Sequence, residues 1–545
     1  MTTTSPTEHR ARYRMILLAL MAAVTSVLAY LSNSWMVSCI GDEWAIYQRA
    51  VLVASGPPSI TGEIFGPLSM GLWGVHMPFL TFCQGVVMYL LGTDNFGWRM
   101  ASILSFALSI PPLFIITSVL FSRGTALLAC ALMALSYYLL AEALWGYGWT
   151  ILRLFSLWQA AFLTLFLRKP SVLSAIALGI GLTLCSLSGA LCAYITPLTF
   201  LVLAGFSILR SRPKAWLYSA LVAAVFLLTH TLPIHMWSRT DDLKTTLKLT
   251  LSKTSLGPVL QQYFGTEMFS KVEGQARTIP ELIELLSIRF GETILAPVTM
   301  IGGSHYLFGK VINPITGTLS MVGLALAIFL ALRSWSWRLI LIFFLPAVIL
   351  AGALSPYSQP ALTRMHFLVP FWAFLAAAAV DILTRRLPRW TFSVSATALV
   401  AINAWWAYDR VFITLPFTQR FTPQAFAIQV LQTYPDRKVA FLYGNWHPLE
   451  FALGPYGLKE RTIEGTLATS DELLTKVIKE PTTLIVIPPE SSEKIDDIQA
   501  RVCAGRQTEA CSCKSCGGLV KLPFTICGTF ECSIARPPPE MKLLP

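Results

Sequence analysis

Pro78-Phe79-Leu80-Thr81-Phe82-Cys83-Gln84-Gly85-Val86-Val87-Met88-Tyr89-Leu90-Leu91-Gly92 is apolar but short of the roughly 20 residues that cross a bilayer as a helix. Its placement fixes the side of every loop after it. If it lies in the interface, all the basic clusters fall on the side of the N-terminus: Arg10/Arg12/Arg14, Arg123, Arg168-Lys169, Arg210/Arg212/Lys214, Arg333/Arg338 and Arg385-Arg386/Arg389. That arrangement obeys the positive-inside rule throughout, with the N-terminus cytoplasmic. If the segment crossed, every cluster after the first would lie outside, so the interfacial placement is the expectation.

Composition makes this a membrane question. Of 545 residues, 54% are hydrophobic and 13% charged, against about 25% charged in a soluble domain. The net charge of +12 would suggest nucleic acid in a soluble chain, but here the basic residues gather at the ends of apolar runs, where orientation signals and anionic-lipid contacts lie. Nucleic acid is therefore not an expected partner. The run from Met15 to about Trp35 is too long for a signal peptide and lacks a small-residue cleavage site, so it reads as a retained span.

Spans are predicted at Met15–Trp35, Phe96–Phe121, Thr125–Leu144, Ile151–Leu167, Val172–Gly189, Ala193–Leu209, Ala215–Ile234, Pro314–Leu332, Trp337–Leu354, Phe367–Leu383 and Trp390–Ile413. The expected fold is thus an α-helical polytopic membrane protein of about 11 spans, residues 1–414, with outer loops 36–95, 142–150 and 235–313. Residues 415–545 form an extracytoplasmic tail. Its strand-like runs Val439–Tyr443 and Thr483–Ile487, with a helical stretch at Asp471–Lys479, predict a small α/β domain. Cys503, Cys511, Cys513, Cys516, Cys527 and Cys532 crowd its end, an even number in a loop-rich segment, which predicts disulfides in an oxidising compartment. The competing reading is a metal knot on Cys513-x-x-Cys516, which lacks a second such pair.

The chemistry-bearing residues lie in the outer loops. The first reads Gly41-Asp42-Glu43-Trp44-Ala45-Ile46-Tyr47, then Gly74-Val75-His76-Met77-Pro78, then Gly92, with Arg99 seven residues on. The second reads Ala141-Glu142-Ala143-Leu144-Trp145-Gly146-Tyr147, and a later helix opens Thr363-Arg364-Met365-His366-Phe367-Leu368-Val369-Pro370. An outer loop solvates acids without any function. The order is more specific: an Asp-Glu pair just beyond the first helix, a His/Lys-x-Pro start, a Gly and an Arg opening the next helix, and an Arg-Tyr/His helix ending in Pro. From the first helix to about Leu383, the chain resembles the polyprenyl-phosphate-sugar-dependent GT-C glycosyltransferases, most of all the protein O-mannosyltransferase-like branch, with the lipid A aminoarabinose transferases more distant. One departure is Trp145, where the family carries Arg; the basic contact to the donor is then either lost or supplied by nearby Arg153.

The resemblance implies a polyprenyl-phosphate sugar donor, a lipid, glycan or protein acceptor, and transfer on the outer face of the inner (plasma) membrane. Such transfer needs a base at the acceptor and cations on the departing phosphate. Asp42 suits the base, and a single displacement would invert the anomeric centre. Glu43 and Glu142 are the second candidates, to orient the acceptor or hold an ion. A divalent cofactor, if one takes part, would fall to Asp42 and Glu142. His76, Arg99, Arg153 and Arg364 are the candidates to bind the donor phosphate, each with a bland alternative in snorkelling or in pairing with a carboxylate. Tyr147 is the candidate to stack on sugar, against an ordinary interfacial aromatic belt. A transporter or flippase of lipid-linked sugars is the alternative reading, and a scaffold with a sensor tail a third. A transport path would place ionisable residues in mid-helix, whereas here they sit at helix ends.

Overall fold

The run that carries Arg10, Arg12 and Arg14 into apolar sequence folds as one long helix, α1 (Pro6–Asn33). The computed structural model describes residues 6–33, 43–55, 78–146, 148–188, 195–210, 213–238, 278–304, 307–353 and 362–415, and after these 423–442, 453, 457–465, 469–478, 480, 482–487, 497–498, 500–501, 512–516 and 524–528. The chain divides into two units, Met1–Ser32 with Ile46–Leu415 and Asn33–Ala45 with Pro416–Pro545.

After α1 come α2 (Glu43–Ala54) and α3 (Pro78–Leu91). The 14 residues of α3 make a helix of about 21 Å at 1.5 Å per residue, short of a hydrocarbon core of about 30 Å. Gly92 ends it with φ +107°, a conformation that costs a side chain energy and glycine almost nothing. Asp94 then caps α4 (Asn95–Leu108), its carboxylate accepting the Gly97 N–H at 3.0 Å. The Gly92-to-Arg99 spacing read from the sequence is therefore a turn, a cap and one helical turn that carries Arg99 inward.

α5 (Ile110–Leu120) continues α4 after Ser109, and its prolines stand in the first turn, where no N–H bond is lost. The next predicted span, Thr125–Leu144, is broken. α6 (Arg123–Ala134) stops at Leu135, and Ser136 starts α7 (Tyr137–Ala143) by accepting the Leu139 N–H, so the two helices meet at a 54° bend. α8 (Trp149–Arg168), α9 (Val172–Ser188), α10 (Ile195–Arg210), α11 (Pro213–Ser238) and α12 (Ile279–Thr299) follow. A hairpin of β1 (Ile301–Ser304) and β2 (Leu307–Lys310) leads to α13 (Pro314–Ala331), α14 (Trp335–Val348), α15 (Val369–Thr384) and α16 (Arg389–Tyr408).

Among the described residues, five helical stretches are long and apolar enough to cross a membrane: His9–Leu31, Asn95–Leu120, Trp149–Arg168, Pro314–Ala331 and Met365–Thr384. The bent α6–α7 pair makes up to six. Other predicted spans are shorter apolar helices, among them Val172–Ser188 and Pro213–Thr229. Small residues let α13 and α15 approach closely, as helices do where lipid removes the hydrophobic drive between them. Ser320 donates to the Trp372 carbonyl at 2.8 Å, and a Cβ on Gly323 would overlap the Leu375 backbone.

The second unit holds a five-stranded sheet ordered β4 (Thr462–Glu464), β3 (Val439–Phe441), β5 (Leu484–Ile487), β7 (Phe524–Gly528), β6 (Ser512–Cys516). β3 pairs parallel with β4 and β5, while β7 pairs antiparallel with β5 and β6. α17 (Pro423–Thr433) packs Ala427, Ile428 and Leu431 with Val439 and Phe441, while α18 (Ser470–Val477) packs Leu474 and Val477 with Ala440, Leu442 and Ile485. Central strands covered on both faces are apolar at every position instead of alternating, which is why Val439–Leu442 and Leu484–Val486 read as unbroken apolar runs.

The predicted disulfide framework finds no support: among the described residues no disulfide is present, and Cys83, Cys130 and Cys185 are free thiols. Cys503, Cys511 and Cys532 lie outside the described residues, and for Cys513, Cys516 and Cys527 only the backbone is described.

Candidate active site

The bend at Ser136 decides where Glu142 goes. Instead of standing in a solvated loop, as the sequence suggested, Glu142 sits on the last turn of α7 and is buried. Arg153, on the second turn of α8, pairs with Oε2 of Glu142. His366, in the 3-10 turn Leu362–Phe367, brings Nδ1 to 3.5 Å from Oε1 of the same carboxylate. Side-chain exposures of 3%, 1% and 0% for Glu142, Arg153 and His366 take this cluster out of water.

Neighbours fix it in place. The Trp149 ring meets His366 edge-on at 5.5 Å, Tyr138 meets the His366 main chain, and the Arg153 guanidinium lies 5.7 Å from the centre of the Phe106 ring. Burying an ion pair costs several kcal/mol per ion before the attraction is counted, so three such groups in an apolar bundle are expensive. Nε and Nη2 of Arg153 are buried without a hydrogen-bond partner among the described residues, although guanidinium donors in interiors are normally satisfied. Arg153 also lines a mostly apolar cavity of about 70 Å³ between α8, α10, α14 and α15, with Ser156, Gln159, Phe343, Phe367 and Phe371.

A second buried group surrounds Arg99. Its Nε donates to Asn95 Oδ1 at 3.1 Å, and Asn95 donates to the Tyr30 hydroxyl at 3.3 Å. The Tyr47 hydroxyl donates to the Thr93 carbonyl at 2.8 Å, and its ring meets Trp98 edge-on. Trp98 in turn presses on Gly146, where a Cβ would overlap the indole, and the Gly146 carbonyl accepts from Gln84 Nε2. The two sequence motifs, one around Arg99 and one around Glu142, are thereby joined by direct packing.

Asp42, His76 and Tyr147 lie outside the described residues. Glu43 starts α2 and Arg364 stands in the 3-10 turn, and of these two only the backbone is described. Among the described residues, no group of three or more His, Cys, Asp or Glu is placed to hold a metal ion. Of the candidates, Glu142 and Arg153 come together, which is the pairing with a carboxylate that stood as the alternative to phosphate binding for Arg153. His366 is the residue that sequence reasoning left without a role. Its signal was its place two positions after Arg364 in the motif.

No protein-family model matches the chain, and no curated protein matches it significantly. Solved structures do. That of the Archaeoglobus fulgidus oligosaccharyltransferase in the apo form is similar over 96% of this chain and 75% of its own, with a TM-score of 0.52 and 12% identity. The same protein tethered with an acceptor peptide containing the NVT sequon gives a TM-score of 0.51 at 12% identity over 96% and 75%. ArnT from Cupriavidus metallidurans bound to undecaprenyl phosphate gives 0.50 at 14% identity over 95% and 99%. The chain has a GT-C fold. With its apolar helices, this GT-C chain is a multi-pass membrane protein. Within the GT-C bundle, the buried Glu142, Arg153 and His366 come from three separate elements that converge at one end of α8.

Proposed function

We propose that this chain is a membrane glycosyltransferase that moves a sugar from a polyprenyl-phosphate carrier to an acceptor hydroxyl on the outer face of the inner membrane. The observation that carries this reading is Arg153: a buried guanidinium with two donors to spare at the wall of an apolar cavity. A lipid phosphate combines the two chemistries such a place accepts, an anion for the guanidinium and hydrocarbon for the wall. The ArnT structure bound to undecaprenyl phosphate supports that choice of carrier, and the oligosaccharyltransferase tethered with an acceptor peptide supports an acceptor distinct from the carrier.

In the proposed reaction, the acceptor oxygen bonds to the anomeric carbon as the bond from that carbon to the phosphate oxygen breaks. Asp42 takes the hydroxyl proton, and the phosphate leaves as an anion held by Arg153 and Arg364. One displacement with one base inverts the anomeric centre. Glu142 holds Arg153 in position, and His366 stands beside the other oxygen of Glu142. His76, Arg99 and Tyr147 complete the donor pocket. Should a divalent ion bind, Asp42 and Glu142 are the carboxylates to hold it, and it would offset phosphate charge.

The test is transfer by purified protein from a polyprenyl-phosphate sugar. Asp42→Asn keeps size and loses basicity, so turnover should fall by about 10²–10⁴-fold with donor binding intact. Arg364→Ala should weaken donor binding as well as turnover, because the phosphate is charged in ground and transition states alike. Normal transfer by Asp42→Asn would remove it as the base. Movement of carrier across vesicles without any sugar transfer would identify a flippase instead.

A further inference from the structure

At the other end of α8, roughly 22 Å along the helix from Arg153, a second cavity opens where the ends of α5, α8 and α10 meet the start of α14. It is open to the surface and measures about 700 Å³, ten times the space beside Arg153, and plays no part in the proposed transfer. Leu120, Phe206, Leu209 and Leu339 form apolar walls, and Arg168, Trp335 and Ser336 stand among them.

Three observations bear on what fits. First, Arg168 is exposed, and among the described residues no hydrogen bond or ion pair engages its guanidinium. Second, the 14-residue helix α14 begins at the cavity without a side-chain cap from Ser334, so its first N–H groups are open to an anion. Third, charge is one-sided. Among the described residues no carboxylate lines the cavity, and the same end of the bundle carries exposed Arg123, Lys169, Lys214, Arg333, Arg338, Arg385 and Arg386, while Asp381 is already paired with Arg385 at 3.0 Å.

We propose that this cavity is a binding site for one anionic phospholipid, with its phosphate on Arg168 and the N-terminus of α14 and an acyl chain along the leucine and phenylalanine walls. The side chains of Leu120, Phe206, Leu209 and Leu339 have no use for a free anion, and a neutral lipid would leave the one-sided charge uncompensated. Trp335 stands at the rim, where an indole suits the boundary between headgroup and chain. The site therefore lies on the leaflet opposite the transfer chemistry and needs no sugar carrier.

The experiment is native mass spectrometry of the purified full chain in detergent, with phosphatidylglycerol, phosphatidylcholine or inorganic phosphate as probe. One phosphatidylglycerol should be retained under activation that strips phosphatidylcholine, and inorganic phosphate should not displace it. Arg168→Ala should weaken retention about fivefold, the worth of one basic residue at an anionic headgroup. Ser336→Trp should weaken it by filling the space while keeping every charge. Arg386→Ala, which removes an exposed arginine outside the cavity, should leave it unchanged. Equal retention of the two lipids, equal effects of Arg168→Ala and Arg386→Ala, retention unaffected by Ser336→Trp, or displacement by phosphate would each overturn the proposal. None of these readings depends on transferase activity.

Discussion

Nδ1 of His366 lies 3.5 Å from Oε1 of Glu142, while Oε2 of the same carboxylate belongs to Arg153. One acid thus faces both α8 and the 3-10 turn that carries Arg364.

The first prediction separates a strut from a working site. Arg153→Met alone leaves a buried carboxylate without its cation and should cost about 3–5 kcal/mol, read as a lowered melting temperature in detergent. Adding Glu142→Leu removes both charges and should recover most of that stability, because apolar replacements of buried ion pairs are often neutral or better. Sugar transfer should stay lost in the double variant. Recovery of transfer together with stability would show that the pair only holds the fold.

Gly146 offers a purely steric test. Gly146→Ala drives a methyl into the Trp98 indole and should destabilise by about 1–3 kcal/mol, the usual range for overpacking. Trp98→Leu in the same chain should relieve part of the penalty, since the clashing ring is gone. Thermal unfolding of the two single variants and the double one measures the coupling; strict additivity would contradict the contact.

Topology is open to chemistry. With native cysteines replaced, single cysteines near Asp42 and near Ser491 should react with an impermeant thiol reagent on intact cells, and one near Arg385 should not. Labelling at Arg385 from outside would overturn the assignment of sides and the outward-facing transfer with it.

In the second unit, Arg461 clasps the end of α17, donating to the carbonyls of Leu431 at 2.8 Å and Tyr434 at 3.0 Å. Charged donors on terminal helix carbonyls are worth about 1.5–3 kcal/mol. Arg461→Ala should therefore speed proteolytic cleavage in residues 423–465 of the full chain, with the transmembrane helices unaffected. An unchanged cleavage pattern would deny the clasp its weight.

Much of this was legible in the sequence, because burial against lipid or between helices is written as uninterrupted apolar runs. α1, α8, α13 and α15 fall on predicted spans, and β3 and β5 on predicted strands. Asp94 suits a cap and Gly92 a turn by residue type, but the spacing from Gly92 to Arg99 alone showed neither role. Ser136 did not stand out, because a serine within an apolar run is neutral until its hydroxyl finds a free N–H, which only the main chain reveals. The burial of Glu142 depended on that break. His366 meets Glu142 across a long sequence separation, and such partners leave no local periodicity to read.

The 54° break at Ser136 also governs how this bundle tolerates change in length. In an unbroken helix, one inserted residue turns everything beyond it by roughly 100° and would swing Glu142 away from Arg153. Because α7 has its own start, a residue gained or lost in α6 is absorbed at Leu135–Ser136 and the angular setting of Glu142 survives. The joint works as a mechanical clutch, letting the α6 half of this span take up a change in length while the half that bears the acid keeps its register.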